Sequence, residues 1–195
     1  MNLQIFDTLM KSHPPIQNGS EWQAYLEFIE TYFRNRRIKK PMIVEIGIGK
    51  GKQKRFYEEV LGYSHIGIDI KHHRNPDIIG NSRDITTLDK LKERLDGREV
   101  NLLYIDGGHT YLAIKKDYEL YSHLAKNIIV IHDIVLDVHK DTVGRFWKEL
   151  IVKAKKRRIR DRTFMTFMGF YIPGSEKVSS FGQGTGLILL EDMNR

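Results

Sequence analysis

Hydrophobic and polar positions alternate along this chain in a pattern that predicts strands and helices in turn. From residue 42 onward, short apolar runs recur, and most are followed by stretches whose apolar residues have helical spacing. Short apolar runs bounded by turn residues are typical of buried strands, and an apolar residue every three or four positions is typical of an amphipathic helix. Strands that alternate with helices predict a parallel, doubly wound sheet with a helical layer on both faces.

The pattern also predicts where the individual elements lie. Strands are expected at Met42–Ile46, His65–Asp69, Asp77–Ile79, Val100–Ile105 and Asn127–Ile131. Helices are expected at Lys52–Leu61, Asp84–Leu95, Thr110–Lys126 and Thr142–Lys156. Two β-rich runs, Thr163–Ile172 and Thr185–Glu191, have no helix between them, only a connector rich in glycine and serine. They predict an antiparallel hairpin at one edge of the sheet.

The first 40 residues have a different pattern. Ser20 is a candidate N-cap, and the apolar residues after it recur at helical spacing from Trp22 to Phe33. We predict a helical extension at 1–40 and the α/β domain at 41–195. The apolar face of this helix either covers the sheet or closes over a substrate.

A glycine turn follows the first predicted strand. Gly47, Gly49 and Gly51 form G-x-G-x-G, in which the third glycine comes one position earlier than in the dinucleotide fingerprint. Glu45, just before the turn, would repel a pyrophosphate but suits a ligand with an ammonium group. Asp69 ends the next strand, where an acidic residue can accept hydrogen bonds from ribose hydroxyls. A ribose together with an amino-acid ammonium describes S-adenosylmethionine; the other interpretation is a tight turn without a ligand.

Acidic residues also end the later strands. Asp106 and Asp133 should lie at the same edge of the sheet on neighbouring strands, where two carboxylates could bind magnesium or manganese. His132 could be a third ligand or a hydrogen-bonded residue at the strand end. A cation there would lower the pKa of a substrate hydroxyl, and His109 could take the proton. The alternative for Asp106 is a structural role in a turn or a helix cap.

A polar turn follows the third predicted strand. Ser82 lies in this turn, which is well placed to meet an adenine edge. Asp84, at the end of the same turn, has an equally good interpretation as a helix N-cap.

The composition of the chain excludes some kinds of site and indicates some kinds of partner. The chain has 195 residues, no cysteine and a net charge of +7, so disulfides and thiolate metal sites are excluded. We see neither a signal peptide nor a membrane span and expect a cytoplasmic protein. Two basic clusters, at 34–40 and 153–162, could bind a polyanion or could be solvated helix ends.

Two blocks of the sequence resemble a known family. Val44 to Gly51 resembles motif I of class I S-adenosylmethionine-dependent methyltransferases. The more specific block, from Ile105-Asp106-Gly107-Gly108-His109 through His132-Asp133, resembles the macrocin and cephalosporin-hydroxylase-type O-methyltransferases. This resemblance implies a Rossmann-like, mostly parallel seven-stranded sheet that ends in the hairpin.

The resemblance also implies roles for individual residues. The implied cofactor contacts are Glu45, Gly47, Gly49 and Asp69, the implied metal ligands are Asp106 and Asp133, and the implied base is His109. Members of this branch often have two adjacent acids where this chain has His132-Asp133.

Three functions therefore remain open. The first is metal-assisted O-methylation of a hydroxyl on a small molecule or sugar. The second keeps the cofactor but changes the acceptor to RNA or another polyanion. The third is a module that binds S-adenosylmethionine without catalysis, and a homo-oligomer is compatible with all three.

Overall fold

The computed structural model describes residues 1–15, 19–135, 140–156, 162–167 and 184–191. The helices, numbered α1 to α6 in chain order, are Leu3–Ser12, Gly19–Asn35, Lys52–Arg55, Ile85–Leu95, Tyr111–Tyr121 and Val143–Lys156. The strands, numbered β1 to β7, are Met42–Ile46, Ser64–Asp69, Ile78–Ile79, Val100–Ile105, Ala125–His132, Arg162–Phe167 and Thr185–Leu190. Among these residues no helix is both long enough and apolar enough to cross a membrane.

The seven strands form one sheet in the order β3-β2-β1-β4-β5-β7-β6. Strands β1 to β5 are parallel, whereas β7 is antiparallel to both β5 and β6. This confirms the predicted fold class, including the antiparallel pair at the C-terminal end. The carboxyl ends of β1, β2, β4 and β5 therefore meet at one edge, which we call the carboxyl edge.

Hydrophobic clusters cover both faces of the sheet because side chains alternate along each strand. Val44 and Ile46 of β1 pack in the cluster that includes α4 and α6, whereas Ile43 packs in the other. That second cluster contains α1 and α2, with Trp22 and Tyr25 fully buried. The N-terminal helices thus share a core with the sheet, and a domain boundary at residue 40 stays a prediction.

Several predicted boundaries differ from the structure. Helix α2 begins at Gly19, so Ser20 lies within its first turn. The helix predicted from Thr110 to Lys126 ends at Tyr121 because Ala125 already pairs with Val100 in the sheet. Strand pairing is a long-range contact, and it overrides the helical spacing that the local sequence displays.

One further boundary difference concerns α3. The predicted helix Lys52–Leu61 is α-helical only to Arg55 and continues as a π-helical turn, Phe56–Val60. Residues 168–172 of the first predicted hairpin strand, and the predicted connector 173–184 except Gly184, lie outside the described part of the chain.

Candidate active site

The glycine turn joins β1 to α3 at the carboxyl edge. Gly47, Gly49 and Gly51 all have positive φ angles, of 83°, 56° and 67°, which side-chain-bearing residues rarely adopt. A Cβ atom on Gly47 would lie 2.2 Å from the carbonyl oxygen of Asp106. Glycine is required there because the backbone after β4 passes directly against the turn.

Gly49 differs from Gly47 in what it faces. A Cβ atom on Gly49 would meet no atom within 4 Å. Its conformation and the open space beside it leave bare backbone exposed at the centre of the turn. This is the arrangement that lets a ligand approach the main chain closely, and it fits the nucleoside cofactor that the sequence predicts.

Asp69 lies at the end of β2, next to the turn. Its Oδ1 accepts a hydrogen bond from the Lys71 backbone at 2.8 Å, and its Oδ2 accepts one from Arg74 Nη1 at 3.1 Å. The sequence analysis did not select Arg74, and its basic character in a polar loop offered little signal. The predicted ribose contact is therefore held in place by a guanidinium and a backbone amide.

Ser82 also has a defined partner. Its hydroxyl donates a hydrogen bond to Oδ1 of Asp117 at 2.7 Å. Asp117 lies on the buried face of α5, and burial raises the pKa of its carboxyl. A Cβ atom on Gly107 would lie 3.1 Å from Oδ2 of Asp117. Ser82 is thus tied to the segment that follows β4; a buried acid on a helix was the signal that the sequence analysis overlooked.

Glu45 lies inside the protein rather than on the surface of the site. Its side chain is 1% exposed, and its Oε2 lies 2.8 Å from Nε2 of His65 on β2. Burial raises the pKa of Glu45, and the hydrogen bond with His65 opposes that rise. The contact of this carboxylate with a cofactor ammonium stays a prediction.

Three side chains converge at the ends of β4 and β5. The ligand atoms of Asp106, His109 and Asp133 all lie within 4.8 Å of one another. His109 Nδ1 is 2.9 Å from Asp133 Oδ2, and this hydrogen bond raises the pKa of His109. Asp133 is not a glycine, yet its φ angle is 61°, in the left-handed region. Such backbone strain is concentrated at functional sites, because surrounding contacts must hold it.

His132 lies beside this group rather than within it. The ring is buried and stacks on Tyr104, with 6.4 Å between the ring centroids. Its Nδ1 is 3.3 Å from Oδ1 of Asp106 and 3.3 Å from Oδ1 of Asp133. Burial alone would lower the pKa of His132, but these carboxylates raise it to about 9. His132 therefore contacts both acids, and its role as a third metal ligand stays a prediction.

The described parts of the two basic clusters lie away from this site. Residues 34–40 join the end of α2 to the start of β1, and the lysines at the end of α6 precede the start of β6. Both stretches therefore lie at the edge of the sheet opposite the carboxyl edge. The segment 157–161, which carries the remainder of the second cluster, lies outside the described residues.

No protein-family model matches the chain, and neither does any curated protein. Solved structures do match. A putative caffeoyl-CoA O-methyltransferase from Staphylococcus aureus is 13% identical with a TM-score of 0.60, over 97% of this chain and 92% of that chain. An O-methyltransferase from Bacillus cereus, solved with SAH, is 13% identical with a TM-score of 0.55, over 96% and 89%.

A third similar structure is the MycE methyltransferase of the mycinamycin biosynthetic pathway, solved with Mg and SAH. It is 16% identical with a TM-score of 0.57, and the match covers 87% of this chain and 50% of that chain. The chain thus spans about half the length of MycE. At these identities the likeness establishes the fold, which is that of S-adenosylmethionine-dependent O-methyltransferases.

Proposed function

We propose that this chain, which has the class I methyltransferase fold, transfers a methyl group from S-adenosylmethionine to a hydroxyl of a small molecule with the help of a divalent cation. The observation that carries the proposal is the meeting of two features at one edge of the sheet. Backbone is open to a ligand at Gly49. Asp106, His109 and Asp133 converge after the neighbouring strands.

Residues on three strand ends would hold the cofactor. Bare backbone at Gly49 admits the amino-acid and ribose parts, Asp69 offers carboxylate oxygens to the ribose hydroxyls, and Ser82 lies where the adenine edge is expected. S-adenosylmethionine would supply an electrophilic methyl group on its sulfonium. The Bacillus cereus and MycE structures contain SAH, the demethylated form of that cofactor.

Asp106, His109 and Asp133 would hold the cation. Two carboxylates and one imidazole suit manganese or magnesium, with the nitrogen ligand favouring manganese. A bound cation would stabilise the negative charge of a substrate hydroxyl that has lost its proton. MycE was solved with Mg, which is the supporting precedent at the level of the fold.

His109 has a second role open to it that excludes the first, because a neutral ring has one nitrogen lone pair and cannot both bind the cation and accept a proton. Its side chain is 61% exposed, and Asp133 engages its Nδ1. In the neutral ring this leaves Nε2 as the atom that can accept a proton from an acceptor hydroxyl. Asp133 then orients the ring, and proximity to the methyl donor supplies much of the rate.

The placement of the two basic clusters favours a small acceptor over a polyanion. The described parts of these clusters, at 34–40 and 153–156, lie at the opposite edge of the sheet, away from the carboxyl edge where the acceptor would bind. MycE was also solved with mycinamycin VI, a small molecule.

The test combines binding with turnover. Calorimetry measures S-adenosylmethionine binding, and transfer of a radiolabelled methyl group is followed over a panel of hydroxyl-bearing small molecules and mixed RNA, with Mg²⁺, Mn²⁺ or chelator. We expect methylation of a small molecule that chelation abolishes. Tight cofactor binding without any transfer would favour a non-catalytic module. Transfer to RNA alone would favour the polyanion substrate, and undiminished activity after chelation would remove the metal.

A further inference from the structure

A buried acid on α5 joins two separate segments at the carboxyl edge. Asp117 is 1% exposed, and its Oδ1 accepts a hydrogen bond from the hydroxyl of Ser82 at 2.7 Å. Its Oδ2 lies against Gly107, where a Cβ atom would come within 3.1 Å of it. Ser82 follows β3 and Gly107 follows β4. The carboxylate of Asp117 therefore connects the turn after β3 with the segment after β4.

The turn that carries Ser82 is fixed next to Asp69. The backbone N–H of Gly80 donates a hydrogen bond to the carbonyl oxygen of Asp69 at 3.1 Å. A Cβ atom on Gly80 would lie 2.3 Å from Oγ1 of Thr87, so the turn also packs tightly on α4. Ser82 comes two residues later and is only half-buried. Since Asp69 is the predicted ribose contact, the base attached to that ribose would lie beside Ser82.

The hydrogen bond to Asp117 limits what Ser82 can offer a ligand. A hydroxyl has one proton to donate and can also accept, whereas an ionised carboxylate can only accept. Burial raises the pKa of Asp117, but the Ser82 hydroxyl and the charge of Arg83 oppose that rise and favour the ionised form. Because the hydroxyl proton is engaged by Asp117, the Ser82 oxygen can only accept a hydrogen bond from a ligand.

We propose that Asp117 is a positioning residue for cofactor specificity: it binds the proton of the Ser82 hydroxyl, so that the Ser82 oxygen accepts a hydrogen bond from the exocyclic amino group of adenine. This amino group is a donor, whereas the exocyclic oxygen of hypoxanthine is an acceptor and would face the Ser82 oxygen without a proton between them. The inference rests on the proposed function, because it takes the bound nucleoside to be S-adenosylmethionine.

The first experiment compares two ligands by calorimetry without any metal. They are SAH and S-inosylhomocysteine, in which an exocyclic oxygen replaces the amino group. We expect the wild type to bind SAH at least about a hundredfold more tightly, because sites that hydrogen-bond a ligand group strongly reject analogues that cannot pair with it. In Asp117→Ala the Ser82 hydroxyl is free to rotate and to donate to the oxygen, so this preference should fall at least about tenfold.

The preference separates positioning from a merely structural role. Glu119→Ala is the matched control, because Glu119 is exposed on the same helix, and it should keep the wild-type preference. If Asp117→Ala weakens the binding of both ligands equally, the preference stays unchanged. That result would overturn the proposal.

Variants of Ser82 test whether Asp117 acts through this hydroxyl. Ser82→Ala should lower the preference as Asp117→Ala does, and Ser82→Thr, which keeps a hydroxyl, should restore it. The double variant Ser82→Ala, Asp117→Ala should have the preference of Ser82→Ala alone, because no hydroxyl remains to be oriented. A further, additive loss of preference in the double variant would contradict the proposal. If Asp117→Ala fails to fold, the Ser82 variants decide, since Ser82 lies in a half-exposed turn.

The wild type distinguishes failure of this proposal from failure of the proposed function. Equal binding of SAH and S-inosylhomocysteine would leave the methyltransferase proposal intact and remove the role of Asp117 in specificity. Binding of neither ligand would overturn the proposed function, and the role of Asp117 with it.

Discussion

Oδ2 of Asp133 lies 2.9 Å from Nδ1 of His109, although the first residue follows β5 and the second follows β4. Parallel strands bring their carboxyl ends together, so residues far apart in sequence become neighbours there. Together with Asp106 they make a compact group of oxygen and nitrogen atoms next to the open glycine turn. This relationship is the basis of the catalytic prediction.

Loss of the Asp133 charge should impair catalysis without preventing cofactor binding. We expect Asp133→Asn to lower kcat/KM by at least about a hundredfold, roughly 2.7 kcal/mol, because a cation would lose a charged ligand. S-adenosylmethionine affinity, measured by calorimetry, should stay within about twofold, a change of roughly 0.4 kcal/mol. Asp89→Asn, exposed on α4, is the control. Wild-type turnover in Asp133→Asn would exclude this residue from the metal site.

Substitutions at different glycines of the turn should affect different properties, cofactor binding at one and folding stability at another. We expect Gly49→Ala to weaken S-adenosylmethionine binding at least about tenfold, since its methyl group would project into the open space. The free energy of unfolding of this variant should fall by only about 1–2 kcal/mol, which is the strain of a left-handed backbone at a residue with a side chain. Calorimetry and urea unfolding measure the two effects.

Two other glycines supply the comparison for Gly49→Ala. Gly97→Ala carries the same strain, at φ 75° and with nothing within 4 Å, but at the opposite edge, so its cofactor affinity should be unchanged. Gly47→Ala should destabilise the fold by about 3 kcal/mol or more because of the contact with Asp106. Equal cofactor binding by Gly49→Ala and Gly97→Ala would place the cofactor elsewhere.

Asp77 should make folding stability depend on acid pH. Burial would raise the pKa of Asp77, but the Gly67 N–H and the Lys54 ammonium outweigh burial and lower it. Since the folded pKa lies below the unfolded value of about 3.9, this stabilisation is complete above that value. It is lost as the pH falls through the folded pKa.

The variant Asp77→Asn tests this dependence. At pH 7 it should be less stable than the wild type by about 1 kcal/mol in urea unfolding, a value that allows for partial exposure. The difference should shrink as the pH falls below about 4. Asp89→Asn again serves as the control. A difference that stays constant down to low pH would show that the Asp77 charge does not contribute.

The buried pair of Glu45 and His65 should contribute to the free energy of unfolding in a coupled, non-additive way. We expect His65→Leu to destabilise the protein by about 3 kcal/mol, because it leaves the Glu45 carboxylate buried without its partner. The double variant Glu45→Leu, His65→Leu should lose less than the sum of the two single variants, by about 1–3 kcal/mol. A double-mutant cycle in urea measures this. Additive losses would mean that the two groups do not interact.

Much of this architecture could be predicted from local patterns. The alternation of apolar runs and helical spacing predicted the parallel sheet, and the helix-free C-terminal runs predicted the antiparallel pair. Asp106 and Asp133 could be placed at one edge because parallel strands share their direction. The end of α5 was mispredicted, since the pairing of Ala125 with Val100 has no local signature.

The order of elements, the glycine turn and the acidic strand ends follow from the sequence alone, because periodicity and turn chemistry act over a few residues. Which side chains meet depends on the folded arrangement. It brought His109 and His132 to the acids, Arg74 to Asp69 and Glu21 to Thr185. Those pairings depend on strand order, on the face to which each side chain points and on the packing of distant helices, which no local pattern encodes.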